Sequence, residues 1–455
     1  MANLAANIVR EYDIRGVVGK DLFPEDAYYI GRALATKALA QQCEVINVGY
    51  DGRHSSPEIS QQLIKGILDS GCNVNNIGLV PSPLLYFSVY HLQVAYGVIV
   101  TASHNPKEYN GFKILSLKEA YYGQALQEFA EFVRAKNFAV GQGQETKLDL
   151  KADYLKALLK ELKSEDLSEL KIAWDPACGA AGEIVAELTK QIAAEHYLIN
   201  ETIDGDFPAH DPDPTIEKNL NQLKELVAHN QANVGLAFDG DADRIGVIDD
   251  EGEVLWGDQL VTLYASEVLA NNPGATIIAD VKSSRVFDQK ITEFGGKPLI
   301  WKTGHSLIKA KMKETGSLLA GEMSGHVFFK DRNFGYDDGI YAAVRLLKIL
   351  AENNLKLSDY RKALPQMFST KEEKVSCADE QKFAVIAELK TILEQHQVKF
   401  LAIDGVRVET ESGWWLIRAS NTSPYLVTRA EATSAEQLQA LQQELNEYLR
   451  LVLPS

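Results

Sequence analysis

Cysteine is scarce and scattered in this chain. Cys43, Cys72, Cys178 and Cys377 stand far apart, with no Cys-x-x-Cys pair, so neither a disulfide framework nor a cysteine-based zinc site is expected, and the thiols belong in a reducing compartment. Positive charge is also in deficit. With 46 Lys and Arg against 63 Asp and Glu, the formal net charge is −17, which argues against a general nucleic-acid or anionic-membrane surface; an anionic ligand would need a local basic site. No apolar run approaches membrane-spanning length. Arg10, Glu11 and Asp13 interrupt the stretch in which a secretion signal needs a continuous apolar core. These absences predict a cytoplasmic protein without nucleic-acid or membrane partners. Low-complexity linkers are missing as well.

What is present is an ordinary globular composition, 45% hydrophobic and 24% charged, over 455 residues. That length exceeds what one core usually serves and predicts three or four domains. One rhythm occurs three times: an apolar strand, a turn, a helical stretch, then a second strand ending in a polar loop and a return strand. The first unit runs from CEVINVGY through DGRHSS to VAYGVIV, TASHNP and GFKIL. The second runs from KIAWDP through ACGAAG to VGLAFDGDADRIGVID. In the third, ATIIAD and VKSSR lead to SLLAGEMSGHVFF. Three α/β segments, 1–150, 151–252 and 253–365, are therefore expected, followed by a smaller α+β segment, 366–455. In mostly parallel sheets, loops at the carboxyl ends of strands are where ligands bind. TASHNP, DGDADR and GEMSGH all fall there.

DGDADR spaces Asp239, Asp241 and Asp243 at alternating positions after an apolar strand. Three carboxylates so placed are costly unless neutralised, and they suit a hard divalent cation such as Mg²⁺. A calcium EF-hand is ruled out, because Arg244 occupies the position that needs Gly and no helix-loop-helix surrounds it. TASHNP puts Ser103 on a tight loop, with His104 beside it and Lys113 in the return strand. A lone serine is a poor nucleophile, and on spacing alone Ser-His-Asn-Pro is equally a good turn. GEMSGH supplies Glu322, Ser324 and His326, a set that suits a polyol, although a flexible turn between strands explains it as well. RASNTSP combines Arg418 with Ser420, Asn421 and Thr422 in a pattern fit for clamping a phosphate.

In this order and spread over nearly the whole chain, the four motifs TASHNP, DGDADR, GEMSGH and RASNTSP resemble the α-D-phosphohexomutase family, within it the bacterial phosphomannomutase/phosphoglucomutase branch. The resemblance implies four domains around a central cleft, three of them alike. It implies that Ser103 is a phosphoserine, and that Ser103, Asp239, Asp241 and Asp243 hold Mg²⁺. His104, Lys113 and Arg244 are implied in the transfer chemistry. Tyr12, Arg15, Lys282, His305, Glu322, Met323, Ser324, Gly325, His326, Arg418, Ser420, Asn421 and Thr422 are implied in substrate binding. The activity implied is exchange of hexose 1-phosphate and hexose 6-phosphate, for mannose and glucose, through a hexose 1,6-bisphosphate, by a monomer.

Two rival readings remain open at this point. A phosphoglucosamine mutase of the same family would more often show Ser in place of Thr101, Gly in place of Ala242 and another residue in place of Met323. A Mg²⁺-dependent phosphatase with Asp239 as nucleophile and Asp241 as acid/base would leave Ser103 without a role. The acceptor of the attacking hydroxyl's proton is open among His104, His305 and Lys113.

Overall fold

The computed structural model describes residues 4–163, 165–420 and 424–453. The chain forms two compact units, one drawn from Met1–Leu260 and Ser324–Tyr360, the other from Val261–Met323 and Arg361–Ser455. The first unit holds two mixed sheets. In the six-stranded sheet the order is Ile14–Val17, Tyr109–Ser116, Tyr96–Val100, Val45–Tyr50, Asn73–Leu79, Glu145–Lys147. Its centre is parallel, and Tyr109–Ser116 returns antiparallel to Tyr96–Val100, with Val98 opposite Ile114. Every residue of Tyr96–Val100 is buried, as expected for a strand covered on both faces. Helices Pro24–Ala40 and Ser56–Leu68 pack together and cover one part of this core.

The second sheet repeats the plan with strands Val254–Leu255, Ile245–Asp249, Val234–Phe238, Lys171–Asp175 and Glu195–Leu198. Val234–Phe238 is parallel to Lys171–Asp175 and wholly buried, and Ile245–Asp249 returns antiparallel to it. Helix Gly339–Asn353 packs on this sheet. Its first turn is capped by Asp338, whose carboxylate accepts the Tyr341 N–H at 2.8 Å and the Tyr154 hydroxyl. Arg345 of the same helix is fully buried, holds both oxygens of Asp331 at 3.0 Å, and lies over the Phe329 ring.

In the second unit Thr276–Asp280 runs parallel to both Lys297–Trp301 and Leu319–Gly321. The C-terminal part is an antiparallel sheet whose central strands, Gly413–Ala419 and Tyr425–Ala432, are buried and covered by helices Lys382–Gln395 and Ala435–Val452. The stretch DGVRVETESGWWLIRAS is a hairpin of Val406–Glu409 and Gly413–Ala419, because the polar TES turn lets the chain reverse. Arg407 stacks on Trp414 at 3.9 Å and donates to the Val281 and Ser283 carbonyls, joining this sheet to the loop after Thr276–Asp280. The architecture is thus three mixed α/β segments and a C-terminal α+β segment. Among the described residues no helix is long and apolar enough to cross a membrane.

Candidate functional site

The loop after Tyr96–Val100 holds Ser103 in a left-handed backbone conformation, φ 51°. That conformation costs a residue with a side chain about 1–2 kcal/mol, so the surroundings must hold it. The Ser103 N–H donates to Thr101 Oγ1 at 2.9 Å. Four carbonyls of the same loop accept from one guanidinium, that of Arg53: Ser103, Asn105 and Pro106 at 2.7 Å each and Tyr109 at 3.2 Å. Arg15, paired with Asp13, reaches the side chain of Asn105 from the N-terminal strand.

The loop after Val234–Phe238 meets it. Ser103 Oγ donates to Asp239 Oδ2 at 2.6 Å and lies 3.2 Å from His104 Nδ1. Gly240 packs under Ser103, where a Cβ would collide with the Ser103 carbonyl oxygen, so only glycine lets the two loops approach this closely. Asp239, Asp241 and Asp243 are fully buried, with one oxygen of each within 4.8 Å of the others. Lys113 Nζ bonds Asp241 Oδ2 at 2.6 Å and also Asp243. Ser82 donates to Asp241 Oδ2 at 2.5 Å.

Electrostatics follow from this crowding. Burial and the charges of Asp241 and Asp243 push the Asp239 carboxyl well above its ordinary range. Burial acts on Asp241 too, but Lys113 and the hydroxyl of Ser82 outweigh it and hold that carboxyl low. Lys113 is kept firmly protonated, the three aspartates overcoming the cost of its burial. Burial, together with Arg244, Arg15 and Lys113, drives His104 well below the usual imidazole value, leaving it neutral. Among the described residues, the Oδ1 atoms of Asp241 and Asp243 are buried and have no hydrogen-bond partner. Hard oxygen donors, converging and unsatisfied, fit Mg²⁺.

Arg244 donates from Nε to His326 Nε2 at 3.0 Å, while His326 Nδ1 faces Asp337 at 3.2 Å and Asp243 at 3.5 Å. His326, grouped with the sugar-reading loop by sequence, therefore stands against the acidic cluster. Gly325 makes this docking possible: its φ is +91°, and a Cβ there would strike the Ile245 carbonyl. GEMSGH is divided between the units. Glu322 and Met323 belong to the second, Ser324 to His326 to the first. Tyr12 is half-buried just before the first strand.

In the second unit, Lys282 is buried and bonds Glu372 at 2.8 Å. Arg418 Nε donates to Asp404, which also accepts the Thr303 N–H. The Thr303 hydroxyl bonds Asp280, whose other oxygen accepts from Ser283 and, at 3.4 Å, from the Met323 N–H. Glu322 accepts the Gly304 N–H at 3.3 Å, and His305 starts the next helix with Nδ1 3.2 Å from Lys309. Ser420 is buried beside Arg418; Asn421 and Thr422 lie outside the described residues.

Sequence reasoning overlooked a recurring anchor. Asp51, Asp175 and Asp280 stand where corresponding parallel strands end, and each ties down its loop. Asp51 holds Arg53, Ser56 and Thr101; Asp175 holds Ala177, Asn200 and His210; Asp280 holds Ser283, Thr303 and Met323. The signal was available: an aspartate closing the first apolar strand of each unit. Arg53 and Arg429 were overlooked too, because their partners are distant in sequence: Arg53 bonds carbonyls some fifty residues on, and Arg429 donates to the Lys282 carbonyl at 2.8 Å.

Comparison with known proteins covers the whole chain. Residues 6–135, 152–252 and 256–368 match the phosphoglucomutase/phosphomannomutase alpha/beta/alpha domains I, II and III, and residues 372–447 match the C-terminal domain. The chain is 44% identical over 453 residues to a Pseudomonas putida phosphomannomutase/phosphoglucomutase, covering 100% of this chain and 97% of that protein. It is 42% identical to a Neisseria meningitidis phosphoglucomutase, covering 98% and 97%. A crystal structure of a Burkholderia thailandensis phosphoglucomutase/phosphomannomutase family protein superposes with a TM-score of 0.92 at 38% identity, covering 99% of each chain.

Proposed function

The chain belongs to the phosphoglucomutase/phosphomannomutase family, and from that premise we propose that it interconverts the 1- and 6-phosphates of glucose and mannose by way of a phosphoserine at Ser103. One observation carries the site assignment: the Ser103 hydroxyl sits 2.6 Å from Asp239 within the triple-aspartate cluster, in a backbone conformation held by its neighbours. Asp239, Asp241 and Asp243, with Ser103, would hold Mg²⁺, which when bound offsets phosphate charge and polarises the phosphoryl group.

In the proposed cycle the P–O bond to Ser103 breaks as a sugar hydroxyl attacks phosphorus. His104, neutral and beside Ser103 Oγ, takes the hydroxyl proton, a role for which Lys113 is poorly suited because it stays charged. Lys113 and Arg244 balance charge on the transferring oxygens. A hexose 1,6-bisphosphate results, which turns over and returns its other phosphate to Ser103; free bisphosphate would recharge an enzyme that has lost its phosphate. Glu322 and Ser324 suit the sugar hydroxyls. Arg418, Ser420, Asn421 and Thr422 suit the phosphate that is not being transferred. Lys282 and His305 complete the proposed contacts, with Tyr12 and Arg15 on the first unit. We read the protein as a cytoplasmic monomer, and its four free cysteines accord with a reducing compartment.

The phosphatase alternative makes Asp239 the nucleophile, whereas its Oδ2 accepts from the Ser103 hydroxyl, which the proposed reading makes the group to be phosphorylated. Intact mass after exposure to glucose 1,6-bisphosphate separates the two: one phosphate on Ser103 is expected, and phosphate on Asp239 would overturn the mutase reading. Ser103→Ala is expected to abolish turnover of glucose 1-phosphate while leaving its binding measurable by calorimetry. Comparison of kcat/KM for glucose 1-phosphate, mannose 1-phosphate and glucosamine 1-phosphate tests the substrate; preference for the amino sugar would favour the phosphoglucosamine alternative.

A further inference from the structure

We propose that Arg53 is the positioning residue that aims Ser103 at its phosphoryl acceptor, an inference that rests on Ser103 being the phosphate carrier. Arg53 never touches the Ser103 hydroxyl. It holds the peptide that carries it. Its Nη2 donates to the carbonyls of Ser103 and Asn105, and its Nη1 to those of Pro106 and Tyr109. These four acceptors span one turn of chain, so a single planar group fixes the path of the whole loop.

The guanidinium is itself immobilised. Nε donates to Asp51 Oδ2 at 3.2 Å, the Arg53 N–H donates to Asp51 Oδ1, and the side chain has no exposure to solvent. Phe207 covers it, with its ring centroid 5.1 Å from Cζ. Asp51 also accepts from Thr101, which receives the Ser103 N–H. Both ends of the Ser103 peptide thus lead back to the Asp51–Arg53 pair, the carbonyl through Arg53 and the amide through Thr101. Left to its own preference, a residue with φ 51° would relax to negative φ and swing its hydroxyl off the aspartate cluster. Lysine is only a partial substitute, because a point donor on a flexible stem cannot serve four carbonyls at once.

The test uses the full chain, charged from glucose 1,6-bisphosphate carrying labelled phosphate and checked by intact mass, then mixed rapidly with unlabelled glucose 1-phosphate to follow loss of the labelled phosphate from Ser103. Arg53→Met is expected to slow transfer about 100-fold with KM within about threefold of the parent, the signature of misplaced reacting atoms with substrate binding intact. Arg53→Lys should fall between. Melting curves and the fraction of folded protein are recorded for each, so that a slower rate counts only beyond the folded fraction lost. Parent-like transfer in Arg53→Met, a rise in KM at constant kcat, or failure of both variants to fold would overturn the positioning role. If the parent itself takes no phosphate on Ser103, the phosphoserine reading fails, and the positioning role falls with it.

Discussion

Gly240 is the residue on which the two central loops rest against each other. An added Cβ would meet the Ser103 carbonyl, a backbone atom that cannot rotate away. Gly240→Ala is expected to cost about 1–3 kcal/mol through overpacking, seen as a lower melting temperature, and to depress kcat more than it changes KM. His104→Gln should lower kcat by about 10²- to 10⁴-fold if it accepts the hydroxyl proton, while Ser103 still takes up phosphate by mass; an undiminished kcat would remove His104 from that role. Much of this was legible from residues alone. Three aspartates at alternating positions after an apolar strand announce a cation; that Lys113, from the return strand of the other sheet, would bond two of them was not legible. The partners of Arg53 were not legible, since a guanidinium bonding four carbonyls some fifty residues away leaves no local pattern.

Elements position these residues through buried polar anchors, and those anchors can be tested. Arg345→Ala would remove both hydrogen bonds to Asp331 and leave it only the 3.6 Å ion pair with Arg332, and about 3 kcal/mol of stability should be lost, whereas Arg345→Met, which keeps the packing on Phe329, should lose less. The segment between Glu195–Leu198 and Asn221–Asn230 is pinned by His210. Its Nε2 is 3.0 Å from Asp175 and its Nδ1 is 2.9 Å from the Asp211 carbonyl. Burial disfavours the charged ring, but Asp175 prevails and the imidazole value is raised. A raised value in the folded state gives stability that is full below the unfolded value and lost as pH rises through the folded one. The difference in melting temperature between parent and His210→Gln should therefore be largest near about pH 6 and shrink toward about pH 8; a constant difference would show that the pair is not titrating. At this scale the repeated strand–loop–return plan was readable from apolar runs and polar punctuation. The division of GEMSGH between two units was not, because periodicity reports which face a strand buries and not which neighbouring body claims the loop that follows.

For the molecule as a whole, a buried cluster of three carboxylates facing Lys113, with Arg244 3.9 Å from Asp239, is a destabilising load until a cation joins it. Chelation should lower the melting temperature and saturating Mg²⁺ should raise it, as for any ligand that binds only the folded state. Asp239→Asn separates cost from benefit. The raised value of Asp239 means that its ionisation opposes folding near neutral pH, so the asparagine variant should melt at or above the parent in chelator and gain less from Mg²⁺. A variant that melts lower in chelator yet responds fully to Mg²⁺ would contradict the assignment of Asp239 as ligand. The net charge of −17 makes long-range attraction of anionic ligands weak, so on the proposed reading local basic groups would supply it. Ser103 itself is 1% exposed. A protein kinase or phosphatase must surround the hydroxyl it modifies and draw the chain out around it, which the left-handed, pinned loop forbids. On the proposed reading, the phosphate here is written and erased only by a molecule small enough to enter with it. On that reading the charge of this serine is kept by the sugar bisphosphate of its own cycle and stays silent to the signalling enzymes of the cell.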